Sequence, residues 1–279
     1  MYSARIILDS KNLHNNVRIT TFELTYPRII HGEFMTHRVF SRNAASSRAI
    51  PVNKMLEQVK NDPFIPIYWG KNQPGMKARQ EIAPKNQEEA REIWLEARDA
   101  AVNAAEKLIE LEVHKQTANR LLEPFSWITV LLTTTELANF FKLRDHQDAQ
   151  PEFKKIAKMT RDIYMNNLYP EQRQDKELEC LTSRWHLPLV DGYDYNELVA
   201  AGYPEKDIVK ICIGRCARVS YLTHEGIRDP QKDIELFDSL YKEYHDSPLE
   251  HAALAKESLN TDFFANFRGW QSYRNLIGR

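Results

Sequence analysis

The chain has 279 residues, with 38 Lys and Arg against 39 Asp and Glu and 42% of residues in the apolar set. That is enough to bury a core in one large domain or two small ones. The near-zero charge excludes a blanket attraction for nucleic acid or membrane, so any polyanion must meet a local cluster of cations.

In chain order, VRITTFEL (17–24) alternates apolar and polar residues and reads as a strand that Tyr26-Pro27 ends, with a helix or turn next. Pro51 to Pro84 reads as loop, with Pro63, Pro66, Pro74 and the turn-forming WGKNQPGM (69–76), a segment expected near substrate. Asn86 to about Arg120 is the clearest predicted helix, placing Ala90, Ile93, Ala97, Ala101, Ala104, Leu108 and Leu111 three or four apart, with Asn86 and Glu89 as a capping box. Further helices are expected over Thr134 to about Leu143 and Pro151 to about Leu168, and the polar stretch 170–207 as a connecting excursion. From Asp207, IVKICI reads as a strand, followed by a helix over Gln231–Tyr244 and a last strand and helix. Mixed elements without regular βαβ alternation predict an α+β fold.

Several chemistries drop out. The nine glycines are never spaced as GxGxxG or GxxxxGK(S/T), and GxSxG and HExxH are absent. Cys180, Cys212 and Cys216 form neither CxxC nor an even framework, which fits a reduced cytoplasmic setting and gives no metal site. The N-terminal MYSARIILDSKNLHNN lacks an apolar targeting core, and the run Trp127 to Leu132 is too short to span a bilayer, so no membrane role is expected.

Positive signals cluster in four places. THRVFSRNAASSRAIP (36–51) interleaves His37, Arg38, Arg42 and Arg48 with Ser41, Asn43, Ser46 and Ser47, the groups that bind phosphate without glycine; a solvated loop with surface arginines is the bland alternative. LRDHQDAQPE (143–152) puts Arg144 after an apolar face of Leu137, Phe140 and Phe141, where it also suits a helix C-terminus. ARVSY (217–221) and HDSPLEH (245–251) each read in isolation as a turn or cap. A weak internal echo relates FMTHRVFSR (34–42) to the C-terminal WQSYRNLIGR.

Together the four motifs resemble those of the flavin-dependent thymidylate synthases, and touch most of the chain outside roughly 150–207. In that family ARVSY and the SPFEH-like motif precede HRxxS; here they follow it, so the order looks circularly permuted, with the C-terminal echo as a degenerate second copy. The resemblance implies one α+β domain over 1–279, a central mostly antiparallel sheet with packed helices, and 150–207 as an insertion or connecting segment. It implies FAD as cofactor, dUMP as substrate, methylenetetrahydrofolate and NADPH as co-substrates, and a homotetramer with sites at subunit interfaces.

Residue by residue, the resemblance gives Arg144 the catalytic place beside the pyrimidine ring, where a fixed cation stabilises charge building at C5. It assigns FAD to Thr36, His37, Arg38, Asn43, Thr133, Thr135, Asn139, Ser220, His245 and Ser247. It assigns dUMP to Glu33, Ala44, Ala45, Ser46, Ser47, Arg48, Arg120 and Arg144. The chain departs from the family at Glu33, Thr36 and Ala44, commonly glutamine, arginine and glutamate, and at Thr133 and Thr135, often asparagine and arginine; Gln271 and Arg274 are expected to complete the site. The expected activity is reductive methylation of dUMP to dTMP, with hydroxymethylation, a cytosine nucleotide substrate or a non-catalytic nucleotide-binding relative as alternatives. Glu33 motivates the first two, because a carboxylate accepts and cannot donate.

Overall fold

The computed structural model describes all residues except 167–178, 182–184, 224, 225, 227 and 260. Strands β1 (Ser3–Asn12) and β2 (Arg18–Pro27) form an antiparallel hairpin whose turn holds Asn16 at φ 60°, a conformation asparagine tolerates. The short helix α1 (His31–Phe34) leads into β3 (Ser41–Ala44). Helices α2 (Val52–Asn61), α3 (Pro84–Glu110) and α4 (Lys115–Ala118) precede β4 (Trp127–Thr134). Next come α5 (Ala138–Arg144), α6 (Pro151–Asn166), β5 (Glu179–Leu181) and β6 (Trp185–His186). Helices α7 (Gly192–Ala200), α8 (Glu205–Arg218) and α9 (Pro230–Lys242) follow, then β7 (Ala253–Ala255), β8 (Phe263–Phe264), β9 (Phe267–Arg268), β10 (Trp270–Ser272) and α10 (Tyr273–Leu276).

The central sheet has the order β3-β4-β2-β1-β5 and is antiparallel except for β1 against β5, which agrees with the expected α+β architecture. Strand β4 shows why 127–132 is apolar at every position but Thr129: both faces of the sheet are covered. Val130 and Leu132 join a core with Phe22, Val102 of α3, Phe140 of α5 and Phe153 of α6, while Leu131 between them packs on the opposite side with Ile208, Cys212 and Phe237. At Gly214 a side chain would meet the Asp233 backbone, so glycine permits the close approach of α8 and α9.

Several local expectations need correction. IVKICI lies in helix α8, because Ile208, Val209, Ile211, Cys212 and Ile213 are all buried; a helix surrounded by protein loses its polar stripe and mimics a buried strand. Residues 52–61, read as loop, form α2, with Met55, Leu56 and Val59 buried on one face. Helix α3 ends ten residues early, and Glu112 just beyond it takes a left-handed φ of 58°. It starts at Pro84 with no side-chain cap, and its inner face holds Trp94, Val102, Ala105 and Ile109, whereas Ile93 and Leu111 are exposed. Strand β4 extends through Thr134, so the next helix begins only at Ala138.

Within 150–207, Phe153, Ile156 and Ala157 of α6 pack in the main core. Residues 167–178 and 182–184 of the same stretch lie outside the described residues. Among the described residues, no helix is long and apolar enough to cross a membrane, and no cluster of His, Cys, Asp and Glu could hold a metal ion.

Candidate functional site

Helix α5 starts on buried Leu137 and Phe140 and delivers Arg144 at its last turn. Beneath it, Phe34, Phe40, Phe140 and Phe153 pack ring to ring, and His37 stacks on Phe40 at 5.4 Å and meets Phe140 edge-on at 5.1 Å. The Arg144 guanidinium lies 4.6 Å above the Phe153 ring, which fixes its plane. Its Nε donates to His37 Nε2 at 3.0 Å, Nη1 pairs with Glu33 Oε1, and Nη2 reaches Thr36 Oγ1 at 3.4 Å. Thr36 in turn donates to the Glu33 carbonyl at 2.7 Å.

The arginine can only donate, so His37 Nε2 accepts and its proton sits on Nδ1. Burial first, then the charges of Arg144 and Arg42, pull the His37 pKa down to about 4. At neutral pH the imidazole is uncharged and orients Arg144.

Two open spaces meet at Arg144. A cleft of about 320 Å³ is lined by Thr36, His37, Arg38, Asn139, Phe140 and Arg144, with Phe263 from the C-terminal segment. A larger groove of about 1420 Å³ has Glu33 and Arg144 at one edge, Gly70 and Met76 from the 69–76 loop in its wall, and Arg79, Lys142, Lys154 and Lys158 along it. Arg38, Lys142, Lys154 and Lys158 are without an acidic partner among the described residues, so the region carries local positive charge that the chain's net charge hides.

The remaining predicted residues lie elsewhere. Past the far end of β3, the Ser46 amide donates to the Ser220 carbonyl at 3.0 Å and the Arg48 amide to Ser46 Oγ at 3.3 Å, leaving the Arg48 side chain exposed. Buried Ser47 donates to Glu123 at 2.6 Å, and Arg120 pairs with the same carboxylate at 2.9 Å. Arg28, absent from the predicted set, also approaches Glu123 at 3.6 Å and donates to the Ala45 carbonyl at 3.0 Å. Ala44 lies at the end of β3, paired with Val130. Among the described residues, none of these side chains hydrogen-bonds or pairs with Glu33, Thr36, His37 or Arg144.

Asn43 ties the late motifs to the first one. Its Nδ2 donates to the Cys216 carbonyl at 2.7 Å, and its Oδ1 accepts from Ser220 Oγ at 3.1 Å and Ser247 Oγ at 3.4 Å. Thr133 is sealed in a hydrogen-bonded chain that sequence reasoning did not find. Ser10 Oγ meets His186 Nδ1, His186 Nε2 meets Thr21, Thr21 meets Thr133, and Thr133 meets His251 Nδ1, each at 2.7–2.8 Å. Both histidines are fully buried, and burial drives each pKa down to about 3.

Thr135 accepts from the Arg268 amide at 3.0 Å, while exposed His245 lies 3.4 Å from Glu243. Gln271 bonds Lys256 and Asn275, and Arg274 bonds Glu250 at 2.5 Å. These bonds tie Gln271 and Arg274 to residues 246–275, and among the described residues neither hydrogen-bonds Glu33, Thr36 or Ala44. Toward a flavin, Thr36, His37, Arg38 and Asn139 fit: they border open space, and Arg38 offers an exposed, unpaired guanidinium suited to a phosphate. Asn43, Thr133, Ser220 and Ser247 are bonded within the protein.

The family model described as thymidylate synthase complementing protein, Thy1, matches residues 17–170, a span holding the Arg144 cluster, β3 and the Arg48 loop. The chain belongs to this family, the flavin-dependent thymidylate synthases, and so is an enzyme of the thymidylate synthase type, a nucleotide methyltransferase. Two solved structures of a UMP/dUMP methylase, PolB from Streptomyces cacaoi, are similar to it. The 5-Br UMP complex is 13% identical over 59% of this chain and 88% of that one, with a TM-score of 0.49. The 5-Br dUMP complex is 16% identical over 56% of this chain and 69% of that one, with a TM-score of 0.45. No curated protein sequence matches the chain.

Proposed function

We propose that this enzyme methylates dUMP at C5 to give dTMP, with FAD as cofactor and methylenetetrahydrofolate and NADPH as co-substrates, in the cytoplasm and as a homo-oligomer, a tetramer by family resemblance. The observation that carries the reading is Arg144, a guanidinium pinned by Glu33, Thr36, His37 and Phe153 where the cleft and the groove meet. Cys212 and Cys216 are buried in α8, so neither serves as a thiol nucleophile at this place. Activation of C5 is electrostatic in this reading: Arg144 would stabilise the negative charge on N3 and the ring oxygens in the electron-rich form of uracil whose C5 is nucleophilic, and that charge is discharged as C5 bonds the methylene carbon. Hydride delivery to the transferred methylene is the chemistry that a bound reduced flavin supplies.

Thr36, His37, Arg38 and Asn139 would hold the cofactor along the cleft. Ser46, Arg48 and Arg120, with backbone groups of Ala45 and Ser47, would hold the nucleotide phosphate. That they share no hydrogen bond or ion pair with the Arg144 cluster among the described residues supports a site shared between copies, one supplying the phosphate loop and another the arginine.

The test is the visible spectrum of the purified protein with FAD, before and after adding dUMP, followed by mass analysis of the product with folate and NADPH. A flavin band that shifts with dUMP and a dTMP product are expected. Nucleotide binding with no flavin band and no product would leave a non-catalytic relative.

A further inference from the structure

We infer that the Glu33–Arg144 pair reads cytosine as well as uracil, so that dCMP is a second ligand of the nucleotide site. The inference rests on the reading that Arg144 faces the pyrimidine ring. A guanidinium carries five N–H donors, and here three are engaged: Nε on His37, one of Nη1 on Glu33 and one of Nη2 on Thr36. One donor on each Nη is left. Glu33 uses Oε1 on Arg144, while Oε2 has no hydrogen bond among the described residues, and the carboxylate is 39% exposed at the edge of the large groove.

Side by side, the two residues present two donors and one acceptor. The base edge of cytosine presents the complement, acceptors at O2 and N3 and a donor at N4. Uracil matches it less well, because its N3–H lies between two carbonyls. Arg144 can satisfy O2 and Glu33 can accept from N3–H, but O4 then faces a carboxylate that has nothing to donate. An amide at position 33 would remove this conflict by donating to O4.

Calorimetric titration of the protein with dUMP and with dCMP, then one against the other, tests this. dCMP should compete with dUMP and bind at least as tightly. Glu33→Gln should weaken dCMP by about tenfold or more and tighten dUMP, and its partly exposed position makes a fold defect easy to exclude by the melting temperature. Binding of dUMP that resists about a hundredfold excess of dCMP overturns the inference and leaves the parent reading intact. An equal effect of Glu33→Gln on both nucleotides does the same. Binding of neither nucleotide overturns the parent reading, and the inference with it.

Discussion

Two histidine-centred clusters in this molecule use the same side-chain types to opposite ends. Around His37, a neutral imidazole, a threonine and a carboxylate hold Arg144 at the rim of two open spaces. Between β1, β2, β4, β6 and residue 251, two neutral imidazoles and two threonines bond mainly to one another, out of reach of solvent and of any formal charge. Both sets include residues of the recognised motifs, so motif membership alone does not separate chemistry from support. What separates them is a fixed charge beside open volume, which can act on a substrate, against a closed neutral network, which specifies how strands and segments meet.

The comparison breaks most directly at Arg144. Arg144→Ala should lower turnover by about 10²–10³-fold, the usual loss when one fixed donor to a developing negative charge is removed, while the flavin spectrum persists. Normal turnover of the variant would take the open cluster out of the chemistry. In the closed cluster the corresponding change is Thr133→Val, which keeps the volume and deletes the hydroxyl that links Thr21 to His251. It should cost about 2–3 kcal/mol in urea unfolding, because His251 Nδ1 is left without a partner and its Nε2 already has none. A stability within 0.5 kcal/mol of the parent, at about the noise of a surface change, would show that the network contributes nothing.

Acid should reach both clusters. His31 and His37 titrate at about 4 and His186 and His251 at about 3 in the folded chain, each lowered first by burial. An unfolded histidine titrates near 6.5, so below that pH the unfolded state binds more protons. Stability is therefore full above about pH 6.5 and falls as pH drops toward the folded values, with a limiting slope of about 1.4 kcal/mol per pH unit for each histidine. Urea midpoints from pH 7 to pH 5 measure it, and a flat profile would mean that these imidazoles are not held neutral.

Much of the open cluster was legible because it is local. Glu33, Thr36 and His37 lie within five positions, and Arg144 ends an amphipathic helix that the pattern Leu137, Phe140, Phe141 announces. The closed network was not, because its bonds join residues more than a hundred positions apart and no periodicity links Thr133 to His251 or Ser10 to His186. Helix α8 misleads for a related reason: protein on all sides erases the amphipathic signal that distinguishes a helix from a buried strand. The basic groove was missed because Lys154 and Lys158 of α6 look like an ordinary solvated face, and only the fold sets them beside Lys142 and Arg79.

Those lysines give the smallest effect and the finest test of the comparison. Lys142 and Lys158 lack acidic partners among the described residues and line the groove that leads to Arg144, whereas the closed network has no charge to offer. Replacing both with alanine should leave stability and saturated turnover near the parent values, because neither residue touches the Arg144 cluster. What should fall, by a factor of a few, is the rate at which an anionic nucleotide associates at low ionic strength. The difference should vanish as added salt shortens the screening length to a few ångströms. Stopped-flow association measured across a salt series separates the cases: a deficit that closes with salt is steering by the groove, and one that persists is a direct contact to the ligand.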